Sequence, residues 1–390
     1  MNITNLDSKK CVGCFACKEI CPVNSVELVQ KELGFLYPSV DTNKCIGCGL
    51  CYNSCQIDKS LSFHTNKKCF SYVSNAEDSL NNSSSGGAFY DIAFIFLKDG
   101  GVVYGSSYCF DGKTRHVRID NIDDLKDIQG SKYIKSDISM IFNKIEGDLK
   151  EGLDVLLSGT PCQIQAIKLF LKKDYKNLYT IDIVCHGVPS QLFFDEYLKN
   201  EEKVFHKKIK TIFFRKKNNY TIYNRCRFNE TIVFTDDSVI VRPYFKSSYY
   251  YFFLNKANYR ESCYNCSFAC QDRIGDLTLG DFWGITRLNP INNLDYGCSL
   301  ISVNSEKGKM LISRLPGLLK EEDYKVATSH NEQLNKPSQE PNTRASLVKM
   351  FSEDYVSINN FYRKKFRFKR FLGTMKLHVP RFIKRFRNNG

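Results

Sequence analysis

The sequence predicts an α+β fold in three stretches: a small cysteine-rich module over residues 1–60, a mixed α/β body over about 70–345, and a basic aromatic tail over 346–390. Three observations carry this. Two tight runs of cysteines stand within the first sixty residues. Two short apolar segments flank one helical segment between Asp154 and Val184. Eleven Lys and Arg, with no Asp or Glu among them, crowd the segment from Arg363 to Arg387.

The module is read from its cysteines. The first run is Cys11-Val-Gly-Cys14-Phe-Ala-Cys17-Lys-Glu-Ile-Cys21-Pro22, and the second is Cys45-Ile-Gly-Cys48-Gly-Leu-Cys51-Tyr-Asn-Ser-Cys55. This is the bacterial ferredoxin spacing written twice. A cubane needs four thiolates; three from one tight turn hold one face, and each run lends its last cysteine to the other cluster. The expected sets are Cys11, Cys14, Cys17 and Cys55 for one [4Fe–4S] cluster, and Cys45, Cys48, Cys51 and Cys21 for the second. Gly13, Gly47 and Gly49 let the backbone pass close to inorganic sulfide. Zinc is the alternative for CxxC pairs, but zinc sites use four ligands and rarely show a CxxCxxCxxxC run. Gln56 departs from the pattern, standing where proline usually follows the second run, so the wall around the first cluster is expected to differ in shape.

The body follows a polar linker. Ser83-Ser84-Ser85-Gly86-Gly87 leads into the apolar stretch Ala88 to Leu97 and a Lys-Asp-Gly-Gly stop, which reads as a capped loop and a helix. Hydroxyls, glycine backbone and free helix N–H groups there make an anion site suited to the diphosphate of a flavin or nucleotide; the alternative is a plain turn. No GxGxxG or GxxxxGK[ST] string occurs. Farther on, Asp154 to Gly159 and Leu178 to Val184 read as strands joined by one helix, hence parallel neighbours whose carboxyl ends share an edge. Cys162 and Cys185 sit at equivalent positions on that edge, where open α/β sheets bind cofactors. Two further thiolates from Cys263-x-x-Cys266 complete a third four-cysteine set, with Cys270 in reserve; the alternative is that these cysteines are small apolar residues of a core. Cys69, Cys109, Cys226 and Cys298 have no cysteine neighbours and read as core or surface thiols. Aromatic and β-branched residues between Lys203 and Phe253 predict strands forming an antiparallel addition.

Composition sets the outer limits. A chain of 390 residues, 42% hydrophobic, has room for one small and one or two larger cored domains. Most of its seventeen cysteines fall in CxxC groups, with no secretion signal and no apolar run of bilayer length, so a reducing, cytoplasmic setting is expected. The net charge of +14 belongs mostly to the tail; without those eleven cations the rest carries about +3. Residues 361–390 interleave aromatics with cations, a pattern suited to an anionic membrane surface or an acidic partner, or to a helix packed on the body. Nucleic acid is disfavoured, because no accompanying fold motif supports it.

Taken together, Ser84-Ser-Gly-Gly87, Gln129-Gly-Ser-Lys-Tyr133, Gly159-Thr-Pro-Cys-Gln163, Cys185-His-Gly187, Cys263-x-x-Cys266 and Gly280-Asp-Phe-Trp-Gly284 resemble the coenzyme F420 hydrogenase/dehydrogenase beta-subunit family over roughly residues 70 to 300. The resemblance implies a flavin, usually FAD, and a [4Fe–4S] cluster within the body. By motif it makes Ser84, Ser85, Gly86, Gly87, Lys132 and Tyr133 the flavin contacts. His186, beside Cys185, is positioned to supply a proton or to hydrogen-bond a loop. The implied activity is an iron–sulfur flavoprotein oxidoreductase exchanging electrons with a ferredoxin-type protein and with F420 or another organic acceptor. The alternative is a non-catalytic electron-transfer protein docked on a separate enzyme through its basic tail.

Overall fold

A computed structural model describes residues 1–65, 67–217, 228–285, 297–368 and 371–372. It is a mixed α/β molecule: a two-stranded module, an eight-stranded mixed sheet, and a smaller three-stranded sheet.

In the module, β1 (Val26–Gln30) and β2 (Leu36–Val40) pair antiparallel, with Val26 opposite Val40. Two one-turn helices, Ala16–Glu19 and Leu50–Asn53, follow the two CxxCxx turns. The turns are backbone copies of each other. Gly13 and Gly47 hold φ of 66° and 69°, and Phe15 and Gly49, the residues before each helix, hold 64° and 75°. Ile3, Val26, Cys17 and Cys51 form the module's own small core.

The large sheet is built from β3 (Lys68–Val73), β4 (Val102–Tyr108), β5 (Thr114–Ile119), β6 (Val155–Gly159), β7 (Leu178–Ile183), β11 (Leu277–Asp281), β12 (Ser299–Val303) and β13 (Leu318–Glu322). These lie in the order β13-β3-β12-β11-β7-β6-β4-β5. The centre, β4, β6, β7 and β11, is parallel, and the flanks are antiparallel. The strand, helix, strand reading from Asp154 to Val184 is therefore found, with helix Pro161–Leu171 as the connection. Val155, Leu156 and Leu157 are all buried, as a parallel strand covered on both faces requires. Alternation divides them: Val155 and Leu157 join the core that includes Phe142 and Ile164, while Leu156 joins that of Ile92 and Leu97 on the opposite face.

The antiparallel addition is also present, as β8 (Ile209–Phe214), β9 (Asn229–Phe234) and β10 (Val239–Pro243) in the order β10-β9-β8. Its end differs from expectation. Ser248–Leu254 is a helix, because Ser247 caps it by accepting from the Tyr250 N–H, and its aromatic side chains are buried all round. This helix feeds an aromatic core that also takes in Leu33, Phe35 and Tyr37 of the module, so the module is packed into the body. Helix Tyr355–Lys365 closes the same core with Tyr355, Ile358 and Tyr362. The basic tail beyond it lies largely outside the described residues, as does Cys226.

Candidate redox centre

The carboxyl ends of β6, β7 and β11 open on one edge, and the predicted thiols gather there. Thr160 starts the helix after β6 with a capping box to Gln163, and Pro161 occupies the first turn, which fixes Cys162 just beyond the strand end. Cys185 leaves β7 two residues after Ile183. The loop carrying Cys263 and Cys266 is held against this edge by Arg273, which donates to Asp182 Oδ1 on β7 at 2.6 Å and to the carbonyls of Phe268 (3.0 Å) and Ile183 (3.3 Å). Cys162, Cys185, Cys263 and Cys266 line one cavity of ≈ 320 Å³. Cys270 does not line it; its thiol faces the Asp272 carbonyl at 3.2 Å. Cys69 and Cys298 are buried in the core, as expected of thiols without cysteine neighbours.

A second cavity, ≈ 250 Å³, lies in the module and is lined by Cys11, Cys14, Cys17 and Cys55. Of the remaining expected set, Cys21 and Cys51 pack together beside it in the module core, and Cys48 stands exposed at the surface. The thiols are spread around cavity walls, and among the described residues no three His, Cys, Asp or Glu side chains close on one ion-sized point.

The electrostatics of both cavities suit a cationic occupant. Enclosure and then mutual repulsion push Cys162, Cys263 and Cys266 up to about 11, and Cys185 well above its usual value. In the module, enclosure raises Cys55 to about 12 and Cys17 strongly upward. Thiols enclosed together in this way resist ionising, and a cationic group bound among them would favour their thiolate forms. Among the described residues two buried polar atoms at or beside these cavities lack partners, Gln56 Oε1 and, behind the first turn, Arg260 Nη1. Gln56 lines both cavities, and its Nε2 donates to the Cys162 carbonyl at 3.1 Å. A proline at that position has no such donor, so the departure from the usual motif ties the module to the body.

The third cavity, ≈ 320 Å³, runs along the same sheet edge and reaches Cys162 and Cys185. Ser84, Ser85, Gly87, Lys132 and Tyr133 line it, as the motif reading expects. Gly86 does not. A Cβ there would come within 2.2 Å of the Tyr72 carbonyl and 2.6 Å of the Ser299 N–H, so Gly86 serves close packing against β3 and β12. Ser84 Oγ accepts from the N–H (3.0 Å) and Oγ (2.9 Å) of Ser131, which joins the two predicted strings. The Tyr133 ring stacks on Phe253 with centroids 4.3 Å apart. Lys132 Nζ donates to the Gln129 carbonyl at 2.6 Å, and enclosure pulls its ammonium down to about 7. Three lining groups, Ser106 Oγ, Gln129 Nε2 and Arg215 Nε, are buried without partners among the described residues, which fits a polar ligand. His186 faces both body cavities; their walls draw it down to about 4, so it is neutral at pH 7.

Four lining side chains were not singled out from sequence. Arg215, at a φ of 61°, grips Asp281 with both guanidinium arms (2.5 and 3.0 Å) and donates to the Ser84 carbonyl at 2.9 Å. His116 is locked between Ser136 Oγ and the Ser158 carbonyl, both at 2.8 Å. Asp281 lay inside a quoted string, whereas Arg215 and His116 carry no local signal. Lys135 lines the cavity from the end of the Gln129 to Tyr133 string. One residue joins all three spaces: Val12, between Cys11 and Cys14, lines every one of the cavities.

Residues 10–59 match the model of the 4Fe-4S dicluster domain, and residues 153–325 match that of the C terminus of the coenzyme F420 hydrogenase/dehydrogenase beta subunit. No curated protein sequence matches the chain. Among solved structures it is similar to a chain of the xenon-derivatised F420-reducing [NiFe] hydrogenase complex from Methanosarcina barkeri, at 14% identity and a TM-score of 0.44, over 72% of this chain and 97% of that one.

Proposed function

We propose that this chain, which carries a 4Fe–4S dicluster domain followed by the C-terminal domain of the coenzyme F420 hydrogenase/dehydrogenase beta subunits, is an iron–sulfur flavoprotein oxidoreductase. It exchanges electrons between a ferredoxin-type protein and an organic acceptor or donor, of which F420 is the first to test. The observation that carries this reading is the meeting, at Val12, of two four-thiol cavities and the cavity lined by Ser84, Ser85, Lys132 and Tyr133. Its parts are the module over 1–60, the body over 70–345 and the tail over 346–390.

The clusters supply one-electron steps and a flavin supplies the exchange between these and a two-electron hydride. The chain's own side chains do the rest. Cys11, Cys14, Cys17 and Cys55 hold the inner cluster of the module, Cys21, Cys45, Cys48 and Cys51 the outer one, and Cys162, Cys185, Cys263 and Cys266 the body cluster. Ser84, Ser85, Gly87 and Tyr133 seat the flavin. Lys132, titrating near neutrality, holds a proton beside it. Neutral His186 orients a group between the two body cavities rather than acting as an acid.

Anaerobic reconstitution tests this directly. Three cubanes require about twelve irons per chain together with a releasable flavin. About eight irons and no flavin would leave the dicluster domain standing and remove the body from the redox path. Steady reduction or oxidation of F420, compared with other soluble acceptors, then identifies the substrate class.

A further inference from the structure

The two cluster turns of the module are copies in sequence and backbone but stand in opposite electrostatic surroundings. At Gly13, in the first turn, an added Cβ would meet Arg260 Nη1 at 2.8 Å and Lys135 Cε at 3.0 Å; at Gly47, its counterpart, it would meet nothing within 4 Å. Both cations belong to the body.

Arg260 is 1% exposed. It donates through Nε to the Cys11 carbonyl at 2.5 Å, and through Nη2 to Cys11 Sγ at 3.4 Å and to the Leu36 carbonyl at 3.0 Å. The guanidinium lies over the Tyr37 ring at 4.0 Å. Lys135 is half-buried, its ammonium 4.7 Å from the Phe15 ring centre. It acts on the thiols of both Cys14 and Cys162. Among the described residues neither cation makes an ion pair within 4 Å; burial and then Arg260 draw the Lys135 ammonium down, and Asp137, Cys14 and Cys162 oppose them. The outer turn has Lys44 instead, exposed and already neutralised by Asp41 at 3.1 Å.

Building on the electron-carrier reading above, we propose that Arg260 and Lys135 are positioning charges that raise the reduction potential of the inner cluster above that of the outer one. The fold thereby directs electrons from the module surface toward the body. Burial alone would make the inner cluster hard to reduce, because its added negative charge would sit away from water. Two cations beside the turn and an N–H···S bond reverse this by stabilising the reduced form. In the step itself, a low-potential one-electron donor in solution reduces the outer cluster. One electron then passes inward, so the outer cluster is oxidised and the inner reduced by one electron each, and no proton or covalent bond changes.

The test is a mediated redox titration of the full reconstituted chain, followed by electron paramagnetic resonance. Cys48→Ser identifies the outer cluster by the wave it perturbs. Lys135→Gln should weaken reduction of the inner cluster about tenfold, a shift of about 59 mV to more negative potential for one electron. The outer wave should stay in place, and Lys135→Arg should restore the original order. An unmoved inner wave, or equal movement of both module waves, overturns the proposal. If Lys135→Gln fails to hold its irons, Arg260→Lys, which keeps charge and loses the sulfur bond, must shift the same wave in the same direction; no shift there overturns it equally. Iron and flavin measured on the same samples separate this outcome from failure of the overall reading, since the module waves can be read without the body's cofactors.

Discussion

Replacing Arg273 by methionine should both destabilise the chain and empty the body thiol cavity. The guanidinium is 2% exposed and its partner Asp182 is 0% exposed. Methionine fills similar space but strands the Asp182 carboxylate, which among the described residues keeps only the Gly275 N–H at 2.8 Å on its other oxygen. Removing one member of a buried pair costs about 3–5 kcal/mol. At roughly 2–4 °C of thermal midpoint per kcal/mol in domains of this size, the expected fall is about 6–20 °C. Adding Asp182→Asn removes the stranded charge and should return about half of that loss. Arg273 also ties the loop of Cys263 and Cys266 to the strand that ends before Cys185. About four irons should therefore leave first, with the module's irons retained. The measurements are anaerobic thermal unfolding and iron per chain for the two single variants and the double. A midpoint lowered by less than about 2 °C, or no recovery in the double variant, would refute the reasoning.

Alanine at Cys263 should lower iron by about four atoms per chain, whereas alanine at Cys270 should lower it by none, since that thiol lies off the cavity against the Asp272 carbonyl. Equal iron in both variants would displace Cys263 from the set. Lys132 sets a pH dependence for flavin binding. Its ammonium, drawn down to about 7, is present below that value and lost above it, so affinity for an anionic flavin should fall as pH rises from about 7. Fluorescence titration of the apoprotein with flavin measures this, and Lys132→Met should give a flat profile; an unchanged profile in that variant removes Lys132 from the site.

The module was legible because the dicluster pattern it matches is written in short-range spacing, in residues three and four apart. The parallel pair β6 and β7 was legible from apolar runs flanking one helix, which is why the sequence places Cys162 and Cys185 on one edge. What sequence hid is long-range. Arg215 meets Asp281 across 66 positions, and Gln56 meets Cys162 across 106; neither has a local pattern. Gly86 has a second reason to be glycine that the Ser-Gly string does not show: backbone packing against β3 and β12 leaves no room for a Cβ. Helix Ser248–Leu254 misled because aromatic residues favour strands, and only its serine cap and its burial on every side outweigh that tendency.

Fusing the module to the body matters because a detachable carrier must find the same geometry at each encounter. Here Leu33, Phe35 and Tyr37 sit in the body's aromatic core, Gln56 reaches the backbone of Cys162, and Arg260 reaches that of Cys11. These contacts turn a bimolecular docking step into a permanent one, at the high effective concentration that covalent linkage provides. They also divide labour between two copies of one motif. The copy with exposed Cys48 stands at the surface, while the copy beneath Arg260 and Lys135 packs against the body. A duplicated sequence thus acquires an inside and an outside through residues that lie outside the duplication.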